Sequence, residues 1–113
     1  MLHMSDKDIL NGRLRSGMTF EQKVWALTAR VPKGRVTTYG AIARKLRTKA
    51  YRAVGRALHH NPYAPKVPCH RVVGSDGALT GFAGGLAKKR AMLEAEGVSV
   101  CKGKVDRSVM TEL

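Results

Sequence analysis

The chain has 113 residues, of which 43% are hydrophobic, and it carries a formal net charge of +13. This length and composition predict one small packed domain and exclude two domains with separate cores. No apolar run approaches the roughly 18 residues of a membrane-spanning helix, so we expect a globular protein that does not associate with membranes.

Positive charge is concentrated in the middle of the chain. No Asp or Glu occurs between Glu21 and Asp76, whereas lysines and arginines recur throughout that stretch. Such a surface favours a polyanion such as nucleic acid, because phosphates replace mobile counterions and relieve the self-repulsion. A solvated basic surface that serves only solubility is the alternative.

The two cysteines, Cys69 and Cys101, are too few for a disulfide framework, and neither lies in a Cys-x-x-Cys pair. We therefore expect a reducing compartment, which is the cytoplasm or, in a eukaryote, the nucleus. The first residues include acids and no apolar run of signal-peptide length, which argues against secretion.

Residues 1–18 mix charges with glycines and show no sustained period, so we expect a flexible N-terminal arm followed by a folded domain over 19–113. Thr19 and Gln22 match a capping box. Apolar residues then recur at helical spacing and predict a helix that reaches about Val31.

Two short helices are predicted next. The first is capped by Thr38 and runs to Leu46, and the second spans about Ala50 to His60 and carries basic residues. Their short connection predicts a helix-turn-helix, and the surrounding charge favours DNA binding over an ordinary helical hairpin. The second helix is rich in alanine, so contacts with phosphates and groove shape are expected rather than base reading.

The rest of the chain is predicted to hold little regular structure besides one helix. Prolines stiffen the loop before Cys69, residues 72–79 are typical of a short hairpin, residues 86–96 form the last helix, and 98–105 form a short strand pair. The predicted fold is therefore mostly α, a small helical domain with a winged-helix-like helix-turn-helix and a short β-hairpin.

Cys69 is either a small buried apolar residue or a nucleophile. The neighbouring His70 and Arg71 favour the thiolate, which is the reactive form of the side chain. Adjacent residues of an extended chain point to opposite faces, so Cys69 and His70 can cooperate only where the backbone bends or a water bridges them. Spacing alone leaves both interpretations open.

A series of motifs surrounds this cysteine. They are Pro68-Cys69-His70-Arg71-Val72-Val73, preceded by Arg52-Ala53-Val54-Gly55 and Asn61-Pro62 and followed by Gly84-Gly85-Leu86-Ala87 and Glu96-Gly97. In this order the motifs resemble the DNA-binding and active-site domain of O6-alkylguanine-DNA alkyltransferases. The resemblance covers about Phe20 to Val98.

The resemblance implies a protein that binds duplex DNA containing an alkylated guanine, flips that base out of the stack and takes the alkyl group onto Cys69. It implies neither a cofactor nor a metal, since the protein itself is the acceptor. We expect a monomer that reacts once, because the thioether product has no easy leaving group.

The resemblance also implies roles for single residues. Arg52 resembles the arginine that enters the stack in place of the flipped nucleotide, and Tyr39 the tyrosine that offers its phenol proton to guanine. His70 resembles the base that removes the thiol proton through a water. Glu96 resembles the carboxylate that orients this histidine, and Asn61 the residue that braces the turn before the active loop.

Two further groups follow from the same resemblance. Beside Arg52 and Tyr39, the DNA-binding surface is expected to include Thr38, Ala53 and Arg56. The guanine pocket is expected to include Val72, Phe82 and Ala83. Phe82 and Ala83 stand where the family has tyrosine and serine, so a hydroxyl is missing at each position.

Three other functions compete with alkyl transfer. Relatives that bind the lesion without transfer lack the cysteine, whereas Cys69 is present. A helix-turn-helix transcription regulator would need base-reading side chains, which the alanine-rich second helix lacks. A cysteine hydrolase has no use for a basic DNA-binding surface.

Overall fold

The computed structural model describes residues 4–82 and 84–113. Its helices are α1 (Met4–Leu10), α2 (Phe20–Thr28), α3 (Tyr39–Lys45), α4 (Tyr51–His59) and α5 (Leu86–Ala95). Its strands are β1 (Thr37–Thr38), β2 (Val72–Val73), β3 (Val100–Cys101) and β4 (Lys104–Val105), and 3-10 turns occur at Cys69–Arg71 and Arg107–Val109. The mostly helical class is confirmed. Within the described ranges, no helix has the length and apolar character needed to cross a membrane.

Helix α2 begins with the capping box that the sequence predicts. The Thr19 hydroxyl accepts the Gln22 N–H at 3.1 Å, and the Gln22 side chain accepts the Thr19 N–H at 2.9 Å. The helix ends at Thr28, earlier than the predicted Val31. The Val31 N–H instead closes a tighter turn on the Thr28 carbonyl at 3.1 Å, because the following proline disfavours helical geometry in the residue before it.

The N-terminal residues are more ordered than predicted. A flexible arm is the prediction for residues 1–18, and within it residues 4–10 form α1 and pack against α2. Ile9 is completely buried, and the Arg30 guanidinium donates to the Gly12 carbonyl at 2.8 Å. A helix of seven residues is too short to show a sustained period, so its tertiary contacts could not be detected from the sequence.

The helix-turn-helix consists of α3 and α4, which pack against each other and against α2. The Thr38 hydroxyl caps α3 by accepting the Ala41 N–H at 2.9 Å. Val54 and Leu58, one turn apart on α4, are buried in the domain as their spacing predicts. The opposite face of α4 is therefore left to solvent.

The strand pairing differs from the predicted hairpin over 72–79. Strand β2 pairs in parallel with β1, with Thr37 opposite Val72 and Thr38 opposite Val73. The turn itself is present, since the Gly74 N–H donates to the Ala78 carbonyl at 2.9 Å, but β2 takes its ladder partner from a distant segment. The predicted strand pair over 98–105 is confirmed as the antiparallel pair β3–β4.

Two hydrophobic clusters flank β2. The first lies among α2, α3 and α4 and includes Val72, and the second includes Val73 together with Leu93 of α5. Consecutive strand residues point to opposite faces, so β2 is anchored in both clusters. The turn that immediately precedes β2, which carries Cys69, is thereby fixed between the two halves of the core.

Candidate active site and DNA-binding surface

Cys69 begins the 3-10 turn that leads into β2. Its carbonyl accepts the Val72 N–H, and its half-buried side chain packs against the first hydrophobic cluster. The backbone therefore bends at Cys69, which is one of the two conditions for cooperation with His70.

His70, Arg71 and Glu96 form a hydrogen-bonded network beneath this turn. His70 is buried, and its Nε2 lies 3.1 Å from Glu96 Oε2. Arg71 donates to both oxygens of Glu96, from Nε at 2.9 Å and from Nη2 at 2.6 Å. The structure thus brings together His70 and Glu96, two residues singled out from the sequence, and adds Arg71 as a fork that holds the carboxylate.

The network sets the ionisation of its members. Burial lowers the pKa of His70, with the Glu96 hydrogen bond acting in the opposite direction. The hydrogen bonds from Arg71 lower the pKa of Glu96. At neutral pH the network therefore contains a neutral imidazole and an ionised carboxylate, and one imidazole nitrogen is already engaged by that carboxylate.

Asn61 ties together the loop that precedes Cys69. Its Nδ2 donates to the Val67 carbonyl at 2.8 Å, and its Oδ1 accepts the Tyr63 N–H at 2.9 Å. The Val67 carbonyl also accepts the Cys69 N–H at 2.9 Å. The Tyr63 hydroxyl in turn donates a hydrogen bond to Asp6 of α1. The loop is therefore held both by Asn61 and by α1.

Tyr39 stands at the start of α3 and faces the segment after β2. Its hydroxyl accepts a hydrogen bond from the Thr80 hydroxyl at 3.1 Å and donates to the Thr80 carbonyl at 3.4 Å. Burial raises the pKa of the Tyr39 phenol, and the charge of the Cys69 thiolate adds to that effect. Tyr39 is therefore a protonated phenol at neutral pH.

An open cavity of about 620 Å³ extends from Tyr39 along α4. Its lining consists of Tyr39, Tyr51, Arg52, Gly55, Arg56, His59, Thr80 and Gly81. Arg52 and Arg56 are exposed and lie four residues apart on α4, so both guanidinium groups border the same opening. Ala53 is half-buried and lines an adjacent groove.

Other predicted site residues are placed differently. Thr38 is largely buried, and its hydroxyl caps α3, the helix that begins with Tyr39. Val72 is fully buried, and its carbonyl accepts a hydrogen bond from Lys89. Phe82 is half-buried and is not among the residues that line the cavity, whereas Ala83 lies outside the described residues.

Thr80, which contacts Tyr39, and Lys89, which contacts Val72, were not singled out from the sequence. Lys89 belongs to the run Lys88-Lys89-Arg90, which is typical of a solvated helix face. The available signal was its position four residues before Leu93, on the buried side of α5. Nothing in the sequence indicates that Thr80 contacts Tyr39, because that contact depends on the chain path after β2.

The exposed cations concentrate on the helix-turn-helix. Some cations of the acid-free stretch serve the fold, as Arg44 does by pairing with Glu112 at 2.5 Å and Arg35 by donating to the Ser108 carbonyl at 3.1 Å. On α3, on α4 and in the connection between them, the other exposed basic residues are Lys45, Arg47, Lys49, Arg52 and Arg56. This surface is suited to phosphate contacts.

Comparison with known proteins identifies the same domain. A family model described as 6-O-methylguanine DNA methyltransferase, DNA binding domain, matches residues 19–98. The methylated-DNA–protein-cysteine methyltransferase of Mycobacterium tuberculosis is 49% identical over 81 residues, which are 71% of this chain and 49% of that protein. That of Methanosarcina mazei is 48% identical over 81 residues, 71% of this chain and 51% of that protein. The chain spans about half the length of the curated relatives it matches.

Solved structures give the same result. The M. tuberculosis protein OGT in complex with DNA is 42% identical, with a TM-score of 0.67 over 81% of this chain and 63% of that one. Atl1 of S. pombe, in complex with damaged DNA containing O6-carboxymethylguanine, is 32% identical, with a TM-score of 0.73 over 83% of this chain and 95% of that one. Sequence and structure together show that the chain belongs to the 6-O-methylguanine DNA methyltransferase family, through its DNA-binding domain.

Proposed function

We propose that this protein repairs DNA by removing the alkyl group from O6-alkylguanine and attaching it to Cys69. The observation that carries the proposal is the position of Cys69: it begins a bent turn whose next residue, His70, contacts Glu96, and it packs against the same cluster as Tyr39. His70 follows this cysteine in the chain and Tyr39 packs against the same cluster, so a base and a proton donor, the two groups that an alkyl transfer to sulfur needs, belong to the same part of the fold.

DNA binding is assigned to the exposed cations of α3 and α4. The opening of the cavity between Arg52 and Tyr39 lies on this same face, so a duplex held there presents its bases to the cavity. A stacked guanine cannot bring its O6 substituent in line with a sulfur atom, so the damaged base has to leave the stack. Arg52, exposed at the first turn of α4, is placed to occupy the space that the base vacates.

The transfer itself is a displacement at carbon. His70 takes the proton of the Cys69 thiol through a bridging water, using the ring nitrogen that Glu96 does not hold. The Cys69 sulfur then forms a bond to the alkyl carbon while the bond between that carbon and O6 breaks. The guanine, left with an extra electron pair, takes up a proton from the Tyr39 phenol and regains its normal form.

The groups described above fit these steps. Burial keeps His70 neutral and therefore able to accept a proton, and Glu96 stabilises the imidazolium that forms. Burial also keeps the Tyr39 phenol protonated until it donates. The product thioether has no proton to lose and no easy leaving group, so each molecule is expected to react once. Because the protein itself accepts the alkyl group, we expect no cofactor. We also expect a monomer.

A second candidate is binding of the lesion without transfer. It is favoured by one observation, the high coverage of S. pombe Atl1, of which this chain matches 95% with a TM-score of 0.73. In that case Cys69 would be a partly buried apolar residue packed against the first cluster, and the protein would mark damage for another repair route. The His70–Glu96 pair argues for transfer, because a lesion binder needs no base beside a thiol.

The intact mass after incubation with duplex DNA containing O6-methylguanine decides between the two. We expect the mass of one methyl group to be added, peptide mapping to place it on Cys69, and Cys101 to stay unmodified. Undamaged duplex of the same sequence is the control. Tight lesion binding with an unchanged protein mass would establish the second candidate and overturn the proposal, as would repeated turnover on excess DNA.

A further inference from the structure

Lys89 is a lysine buried inside the domain. Its side chain has no solvent exposure and is the largest fully buried side chain among the described residues. Its Nζ donates to the carbonyl of Val72 and to that of Thr80, both at 2.7 Å. Both acceptors are neutral, so neither balances the charge of the ammonium group.

A buried charge without an ionic partner is unfavourable, and an apolar side chain of similar volume would fill the same space without that cost. Burial accordingly lowers the pKa of Lys89 to about 8. In the part of the chain that the structure describes, no carboxylate lies within ion-pair distance of Lys89. The cost indicates that the charge itself has a role.

The surroundings of Lys89 point to Cys69. Helix α5, which carries Lys89, packs against the 3-10 turn of Cys69. Val72, which accepts the Lys89 hydrogen bond, donates its own N–H to the Cys69 carbonyl. A negative charge on Cys69 also raises the pKa of Lys89, and coupling between two sites is reciprocal.

The other ionisable groups around Cys69 do not offer a free cation. Arg71 is neutralised by Glu96, which it holds through two hydrogen bonds. Burial keeps His70 neutral, and Tyr39 is a neutral phenol. Lys23 on α2 and Lys88 on α5 are not buried, so their charges are solvated. Among the described groups on the turn and on the helices packed against it, Lys89 is therefore the buried cation whose charge no carboxylate cancels.

We propose that Lys89 is a positioning residue whose buried ammonium group stabilises the Cys69 thiolate and, through Thr80, holds the segment that contacts Tyr39. The inference rests on the proposed function, in which that thiolate attacks the alkyl carbon. Lys89 keeps its protons throughout. The thiol proton passes to His70, and no bond is made or broken at Lys89.

The test is the rate at which iodoacetamide alkylates Cys69 without DNA, followed by peptide mass between about pH 5.5 and 9, with Cys101 as the reference inside the same molecule. Lys89→Met removes the charge, and Lys88→Met is the matched control because Lys88 is exposed on the same helix. In Lys89→Met we expect alkylation of Cys69 at pH 7 to fall about 10-fold relative to Cys101 and the pH of half-maximal rate to rise by about one unit. Lys88→Met should match the parent.

An unchanged ratio of Cys69 to Cys101 and an unchanged pH profile would show that Lys89 only links two carbonyls and would overturn the inference. Should Lys89→Met fail to fold, the reciprocal measurement uses Cys69→Ala. The pKa of Lys89, followed by NMR of its side chain, should be lower in Cys69→Ala than in the parent, and an equal value would also overturn the inference. Neither assay uses damaged DNA. A failure of the proposed repair reaction is therefore distinguishable from a failure of the inference about Lys89.

Discussion

The two cysteines of this chain have the same side chain in two different surroundings. Cys69 is half-buried in a bent turn, packed against the first cluster and placed beside buried ionisable groups. Cys101 is exposed at the end of β3, and the residue that follows it, Lys102, has a left-handed backbone with φ of 53°. Basic residues adjoin both cysteines, so local positive charge does not distinguish them.

What distinguishes them is the orientation and burial of the neighbouring charges. Lys102 and Lys104 near Cys101 are exposed, and Lys104 Nζ forms an ion pair with Asp76 Oδ2 at 3.2 Å. Solvent screens such charges, so they alter a thiol only weakly. Around Cys69 the ionisable groups His70 and Lys89 are buried and held by hydrogen bonds, and charges act more strongly in the interior of a protein than at its surface. We therefore attribute the reactivity proposed for Cys69 to the fold and not to sequence composition.

The largest effect expected from this comparison is a complete loss of transfer. Cys69→Ala should not remove the methyl group from O6-methylguanine in duplex DNA, because the proposed acceptor sulfur is gone, whereas Cys101→Ala should react at the parental rate. Both variants should keep the parental DNA affinity, since neither changes a cation. Residual repair by Cys69→Ala, measured as restored guanine by mass spectrometry of the DNA, would assign the reaction to another residue.

The next effect concerns the base. General-base catalysis contributes about 10²–10⁴-fold, so His70→Ala should slow single-turnover transfer by that factor and Glu96→Gln by the same factor or less. The double variant should resemble His70→Ala, because the two residues act as one unit through their 3.1 Å contact. Quenched-flow measurement at saturating protein gives these rates.

The pH profile provides the control for this relay. Since burial holds the pKa of His70 below its ordinary 6.5, the imidazole is neutral at pH 7 and the parental rate should decline only as the pH falls through the lowered value. His70→Ala should lose that decline. A Glu96→Gln variant with the parental rate and the parental profile would show that Glu96 only anchors Arg71.

How much of this site the sequence predicts depends on how local each interaction is. The capping box of Thr19 and the start of α3 at Thr38 are set by residues three apart, and both were predicted correctly. The parallel pairing of Thr37 with Val72 joins segments far apart in the chain, and turn residues near Gly77 wrongly suggested a local hairpin. Periodicity cannot reveal which distant strand becomes a partner.

The same distinction holds for side chains. The resemblance placed Glu96 beside His70, and the structure has them in contact. It did not single out Lys89, since a lysine in a basic run looks solvated until the packing of α5 against the Cys69 turn is known. Ile9 was missed because its burial depends on contact with α2 and not on any pattern within α1.

A smaller effect is expected for Arg52, which lies near the cavity but not near either sulfur. Arg52→Ala should reduce extrusion of the damaged base by about 10-fold, the size of one lost charge-assisted contact. Nonspecific affinity should change little, because one cation removed lowers the salt slope by only about one unit. Fluorescence of a base analogue at the lesion site measures extrusion, and Lys49→Ala, exposed beside the same helix, is the matched control.

The smallest effect on the two cysteines is expected from the far side of α2. Ile9 is completely buried, so Ile9→Ala should lower the free energy of unfolding by about 2–5 kcal/mol, whereas Leu14→Ala, at a position 38% exposed, should change it little. Urea denaturation measures both. If α1 serves stability alone, the ratio of Cys69 to Cys101 alkylation under native conditions should equal the parental ratio in both variants. A changed ratio in Ile9→Ala would instead show that α1 acts on the Cys69 turn, through the bond between Asp6 and Tyr63 in the loop before it.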